Sequence, residues 1–379
     1  MPDSDNPILK LASALIACPS ITPNDAGCMQ IIEQHLKPLG FDIDIWQEND
    51  TQNLLASLGR GAPYVLYAGH TDVVPPGPID QWETPPFQAS ISNEQLYGRG
   101  ACDMKGGIAA FLCALTQFHN SNKAMNGTLI IAITSDEEGD AQYGTKEIIK
   151  RIRQKFPKID YCLVGEPTCA NNPGDTIKIG RRGSLNGFAN LQLQQGHVAY
   201  ATPQNNVIHR SADLINQLNA ISPEHLDPHF PPTSFHITYL NAGDGTTNVV
   251  PGQIDLQFNF RYPPSVSHIW LMEQVNQCFK RTGLEFTINW THSAKPYFSK
   301  PSKLAHLMQT ITKKVYGQKA DLNTFGGTSD GRFLIDLECE LIEFGLQNTT
   351  IHQVNEHVCL VDLFKLSLAY ENFLEALLT

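Results

Sequence analysis

An apolar, largely β-branched run, Leu129-Ile130-Ile131-Ala132-Ile133, breaks off in Ser135-Asp136-Glu137-Glu138-Gly139. Such a run reads as a strand buried on both faces, the kind found inside a parallel sheet. That directs the chain toward an α/β architecture, whose ligands collect at the carboxyl ends of the strands. Three successive carboxylates at such an end repel one another unless a cation sits among them. Glu138 is therefore a candidate metal ligand, and Glu137 a candidate general base facing substrate. Taken alone, the stretch reads more readily as a solvated acidic turn before a helix, where the macrodipole favours acids.

Other segments supply chemistry in the same way. The strand Tyr64-Val65-Leu66-Tyr67-Ala68-Gly69 delivers His70-Thr71-Asp72 to its end. A metal-bound imidazole needs its other nitrogen held by an acceptor, so Asp72 is a candidate partner for His70. Gly100 and Gly106 bracket Asp103 just before an apolar helix expected over 108–118. Asp103 is either a helix cap or a carboxylate bridging two ions, which requires close backbone approach. No phosphate-loop pattern accompanies these glycines. A strand over 161–164 ends in Gly165-Glu166, after a helix over 144–155. Helices are expected over 7–18 and 27–37, and strands over 41–46 and 53–58. Leu15-Ile16-Ala17-Cys18 loosely resembles a lipoprotein cleavage site. Asp3 and Asp5 precede it, however, and Ile8, Leu11, Ala12 and Leu15 recur at helical spacing, so a helix is the expectation there.

The texture changes near Arg181. Strands at 184–194, 234–240, 252–260 and 284–290, with helices at 208–220 and 267–281, follow the split βαβ order of a ferredoxin-like module. The expected fold class is α/β. A catalytic domain with a mixed, largely parallel sheet flanked by helices spans 1–182 and 295–379. An α+β ferredoxin-like dimerisation or lid domain over 183–294 interrupts it. The returning segment carries a helix at 302–316, a polar loop at 326–331, a strand at 341–345, His352 and a helix at 361–378. A length of 379 residues suits two domains. The net charge of −11 argues against a nucleic-acid surface. Nine cysteines, an odd number without a Cys-x-x-Cys pair, fit a reduced, cytoplasmic setting and argue against a thiolate zinc site. No apolar run approaches the ~18 residues of a membrane span.

His70, Asp103, Glu138, Glu166 and His352 are thus expected along one rim of one sheet. Two imidazoles and three carboxylates suit zinc and tolerate cobalt or manganese. Five ligands exceed one open catalytic zinc but suffice for two ions sharing Asp103. Two ions ~3.5–4 Å apart clamp attacking and leaving oxygens and make hydroxide available near neutral pH. Glu137, beside a ligand but unligated, is placed to move the proton.

The stretches Gly69-His70-Thr71-Asp72-Val73-Val74-Pro75, Tyr97-Gly98-Arg99-Gly100-Ala101-Cys102-Asp103-Met104-Lys105-Gly106, Thr134-Ser135-Asp136-Glu137-Glu138-Gly139 and Gly165-Glu166-Pro167-Thr168 resemble the dinuclear zinc exopeptidase and deacylase family. Acetylornithine deacetylase, aminoacylase and carboxypeptidase G belong to it. Arg181-Arg182-Gly183-Ser184-Leu185, Gly196-His197-Val198-Ala199-Tyr200, Thr247-Asn248-Val249-Val250-Pro251-Gly252, Gly326-Gly327-Thr328-Ser329-Asp330-Gly331-Arg332-Phe333 and Ile351-His352-Gln353-Val354-Asn355-Glu356 resemble one branch of the family. That branch hydrolyses the succinyl amide of N-succinyl-LL-2,6-diaminopimelate, in lysine and peptidoglycan biosynthesis. The resemblance runs through nearly the whole chain, in order.

The resemblance implies that His70 and Glu166 hold one zinc, Glu138 and His352 the other, and that Asp103 bridges. It implies that Asp72 orients His70 and that Glu137 is the proton shuttle. It further implies a homodimer through the inserted domain, with His197 reaching the neighbouring subunit's site to stabilise an oxyanion. Arg181 and Arg261 match carboxylate-contacting arginines, with Ser184, Tyr200, Asn248, Gly327 and Thr328 as neighbours. Cobalt can stand in for zinc. Three stretches depart from the pattern: Ala201-Thr202 stands in place of Pro-His, Asn206-Val207-Ile208-His209 stands where Asn-Pro is common, and Cys102 stands in place of Ala or Ser. The metal set is untouched. An acetylornithine-type deacetylase is the alternative in the same class. A non-catalytic dimeric binding protein is the alternative in another.

Overall fold

A computed structural model describes residues 5–121, 123–223 and 226–379. The chain divides into two compact units. The first runs to Gly180 and resumes over Ser299–Asn323 and Ser329–Thr379, while the second comprises Arg181–Phe298 and Thr324–Thr328.

The first unit is built on an eight-stranded mixed sheet. Its spatial order is Asp42–Glu48, Thr51–Arg60, Gly127–Thr134, Tyr64–His70, Tyr161–Val164, Glu340–Glu343, Thr176–Lys178 and Asp321–Asn323. The central four strands, from Gly127–Thr134 to Glu340–Glu343, are mutually parallel. Asp42–Glu48 and Thr51–Arg60 join through a tight turn and run antiparallel. Every residue of Gly127–Thr134 is buried, as its unbroken apolar run requires. The helices Lys105–Asn120 and Leu360–Leu378 pack on one another beside this sheet. Tyr67 stacks on Phe111 at 3.6 Å between ring centroids, and the Tyr370 hydroxyl donates to the Phe344 carbonyl at 2.8 Å.

The parallel strands bring three loop starts to one edge: His70, the turn after Thr134, and Gly165-Glu166. The helix Lys105–Asn120 closes on this edge because Gly106 lacks a side chain. A Cβ there would lie 2.2 Å from the Ala101 carbonyl oxygen. Helices Pro7–Ile16 and Cys28–Leu36 occupy the expected N-terminal positions, with Leu9, Ala12 and Leu15 buried. No helix among the described residues is long and apolar enough to cross a membrane.

The second unit is a four-stranded antiparallel sheet in the order Ser234–Ala242, Gln253–Tyr262, Gly183–Gln192, Glu285–Ala294. Helices Val207–Asn219 and His268–Arg281 complete the split βαβ order. Its core includes Leu185, Leu214, Phe258, Phe260, Leu271 and Phe279. Gly187 admits the Phe258 ring, since a Cβ there would meet its Cζ at 2.2 Å. The departure at Val207 is accommodated: Asn206 caps the helix by accepting from the Ile208 and His209 amides, and Val207 is buried as its first residue.

The segments 181–182, 295–298 and 324–328, expected with the catalytic domain, group with the second unit. The Thr324 hydroxyl donates to the His229 carbonyl, and Arg181 Nη1 donates to the Phe325 carbonyl.

Candidate metal centre

Four side chains of the first unit, His70, Glu138, Glu166 and His352, meet around the bridging candidate Asp103. His70 Nε2 lies 3.3 Å from Asp103 Oδ1 and 3.7 Å from Glu166 Oε1. His352 Nε2 lies 3.5 Å from Asp103 Oδ2 and 2.9 Å from Glu138 Oε1. The two carboxylate oxygens of Asp103 thus face two separate ligand groups. His70, Asp103 and Glu166 form one set, and Asp103, Glu138 and His352 the other, with the ligand atoms of each set within 4.8 Å of one another. Asp103 is not a helix cap: Met104 holds that position, and its side chain caps nothing. The Asp103–Met104 peptide is cis.

The chemistry of the donors fits cations. His70 Nε2, Asp103 Oδ1 and Glu166 Oε1 are buried without a hydrogen-bond partner among the described residues. Buried polar atoms are normally satisfied, so converging orphans of this kind mark where an ion belongs. His70 Nδ1 lies 2.9 Å from the Asp72 carbonyl, which fixes the proton on Nδ1 and turns the Nε2 lone pair toward the carboxylates.

Asp72 was expected to hold His70 through its carboxylate, and this is refined. The backbone carbonyl is the closer acceptor, with Asp72 Oδ1 at 3.6 Å. The Asp72 carboxylate instead accepts the backbone amides of Glu137 and Glu138, at 3.3 and 3.0 Å. It therefore sets the turn that carries both acids. Of the three successive acids, Asp136 turns away and caps the amides of Ala141, Gln142 and Tyr143.

A Glu137 oxygen lies within 4.8 Å of ligand atoms of His70 and Glu138. Arg332 Nη1 approaches Glu137 Oε1 at 3.6 Å and its Nη2 approaches Asp330 at 3.8 Å. Arg332 was not singled out from sequence, because one arginine in a polar loop reads as a surface cation; its burial is what distinguishes it. Burial pushes the Glu137, Glu138 and Glu166 carboxyls above the usual carboxylate range. Hydrogen bonds to Asp103 and Glu138 raise the His352 imidazole to about 10. Burial works to raise Asp103 as well, yet His352 and His70 hold it below the usual range.

Residues 66–376 match the model of peptidase family M20/M25/M40. The chain belongs to this family. It is 44% identical over 370 residues to a succinyl-diaminopimelate desuccinylase of Alkalilimnicola ehrlichii, covering 98% of this chain and 99% of that protein. A protein of the same name from Nitrosococcus oceani is 43% identical over 371 residues, with the same coverage. Among solved structures, an M20 family metallo-carboxypeptidase from Sulfolobus solfataricus superposes with a TM-score of 0.79 at 20% identity, covering 97% of this chain and 98% of that one. A dinuclear metal-binding M20 peptidase from Bacillus subtilis gives 0.68 at 13% identity, covering 98% and 97%. These two share the fold.

In this M20/M25/M40 chain the remaining expected site residues lie in the second unit. His197 pairs with Val249 across a short ladder, and the Val198 amide donates to the Asn248 carbonyl. His197 Nδ1 accepts from the Ala199 amide, so the neutral imidazole carries its proton on Nε2. Tyr200 is 83% exposed, its ring 5.8 Å from that of His197. Ser184 pairs in register with Arg261 and accepts from Asn259 at 2.9 Å. Arg261 and Arg182 are partly buried and draw no ion pair among the described residues, and burial, helped by the Arg182 charge, lowers the Arg261 guanidinium. Arg181 leans on the loop of exposed Gly327 and half-buried Thr328, where a Cβ on Gly326 would lie 2.7 Å from its Nη1.

Proposed function

We propose that this chain hydrolyses the amide of N-succinyl-LL-2,6-diaminopimelate to succinate and LL-2,6-diaminopimelate. The two-sided presentation of Asp103, one oxygen to each ligand set, carries the reading as a dinuclear hydrolase. The near full-length relatives named for this activity support the choice of substrate.

His70 and Glu166 would hold one ion, Glu138 and His352 the other, with Asp103 shared. Zinc fits the mixed nitrogen and oxygen donors best, and cobalt is a workable substitute. Two such ions would supply Lewis acidity toward the amide carbonyl and hydroxide near neutral pH. Glu137 takes the proton of the attacking water and returns it to the departing amine. Arg332 keeps a positive charge beside Glu137 as it gives that proton up. His197 of the partner subunit's inserted domain donates from Nε2 to the developing oxyanion. Arg181 and Arg261, with Ser184, Tyr200, Asn248, Gly327 and Thr328, take the substrate carboxylates. Arginine suits that role through planar, paired hydrogen bonds.

The exposed edge strand Ser234–Ala242, with Tyr239 and Leu240 at its surface, suits a homodimer formed through this unit. Nine free thiols suit a reducing, cytoplasmic setting.

The test is a side-by-side assay with zinc or cobalt on N-succinyl-LL-2,6-diaminopimelate and N-acetylornithine. Succinate release from the first at a far higher rate is expected, with His352→Ala lowering bound metal from two ions to one. Preference for N-acetylornithine would overturn the substrate, and hydrolysis of neither would overturn the enzyme.

A further inference from the structure

Glu356, four residues beyond His352, is 1% exposed. Its two carboxylate oxygens accept from four donors. Oε2 accepts from Arg99 Nη1 at 2.6 Å and from the Gly100 amide at 3.1 Å. Oε1 accepts from the Cys102 and Asp103 amides at 2.9 and 3.0 Å. The Glu356 carbonyl accepts the Gly98 amide at 2.9 Å. Arg99 returns to the other loop, donating from Nη1 to the Gln353 carbonyl at 3.2 Å, one residue past His352. One buried ion pair therefore pins the turn that carries Asp103 to the turn that carries His352.

Neither turn holds its own shape through a ladder. Residues 98–104 lie between the strand Gln95–Tyr97 and the helix beginning at Lys105. His352 and Asn355 both have left-handed backbones, with φ of +60° and +59°. Such backbones persist only where the surroundings fix them. We propose that Glu356 is the positioning residue that holds Asp103 against His352 at the spacing needed for two cations to share one carboxylate. This rests on the dinuclear reading above. The reach and the charge are both required. An amide nitrogen in place of either oxygen would point hydrogens at existing donors, and a side chain one methylene shorter cannot span both turns.

The test measures cation uptake directly. Metal-free full-length protein and Glu356→Gln are titrated with zinc against a chromophoric chelator, and their cobalt complexes are compared by visible absorption. Folding is followed by circular dichroism and melting temperature. The expected result is a ~10–100-fold loss of metal affinity in the folded variant, the size typical for removing a partner that orients ligands. A shifted cobalt spectrum should accompany it. Arg99→Lys, which keeps the charge and leaves the amides on Glu356, should lose less. If Glu356→Gln does not fold, the same two readings on Glu356→Asp decide, with the same loss expected. A folded variant that binds both ions within twofold of the parent, with an unchanged cobalt spectrum, would overturn the positioning role, even if its melting temperature falls. A parent protein that takes up no cations would overturn the dinuclear reading itself.

Discussion

The two units differ in how they hold several of their functional groups, although His352 of the first is exposed and Arg181 and Ser184 of the second are buried. In the first, His70 and Asp103 are buried, and backbone carbonyls and amides fix the groups around them. In the second, His197 and Tyr200 stand at the surface on short turns, and Arg261 makes no ion pair among the described residues. The difference matches the division of labour expected between chemistry and recognition. Reacting groups gain from rigid placement, because misplacement by an ångström costs rate. Groups that meet a varied, charged substrate can be ordered when it arrives.

The comparison breaks most visibly at Glu137. Glu137→Gln should reduce kcat by about 10²–10⁴-fold while leaving two bound ions, read from initial rates beside elemental analysis. Full turnover would remove the proton shuttle from the first unit. Next, His197→Ala should reduce kcat by about 10²–10³-fold with metal content unchanged, as for loss of one oxyanion donor. Equal loss of kcat and of bound metal would show that the two units do not divide the work.

The smallest effect sharpens the comparison through pH. His352, raised to about 10, must release its proton to bind a cation. Affinity should therefore climb about tenfold per pH unit between pH 7 and 9 for that one proton. Calorimetry in buffers of different ionisation heat would count it. Its folded value also lies above the unfolded one of about 6.5. The metal-free fold thus carries this contribution in full below pH 6.5 and loses it as pH rises to about 10. Melting curves of parent and His352→Ala, both without metal, should converge across that window, and parallel curves would contradict the assignment.

Much of the centre was legible because strand ends announce themselves. His70, Glu138 and Glu166 each follow an apolar run, and those runs became the parallel strands. Asp103 was ambiguous, since a glycine-flanked Asp before a helix has two uses and only the packed loops choose between them. The strand Thr176–Lys178 and the edge strand Asp321–Asn323 were missed, because three residues show no period. Asp136 was grouped with its neighbours although it turns away, since side-chain direction past a strand end no longer alternates. Asp72 was read as a carboxylate partner of His70. The sequence cannot say that its backbone carbonyl lies closer to His70 Nδ1 than its carboxylate does, at 2.9 Å against 3.6 Å, while the carboxylate also accepts amides of the next loop.

The unsatisfied atoms at His70, Asp103 and Glu166 have a consequence outside the chemistry. An ion that binds only the native form adds ~2.7 kcal/mol at a hundredfold excess over its dissociation constant. Resistance to heat, chaotropes and proteases then becomes a gauge of the surrounding supply of divalent ions. Depletion of the bound ions would leave the fold easier to unfold and to cleave.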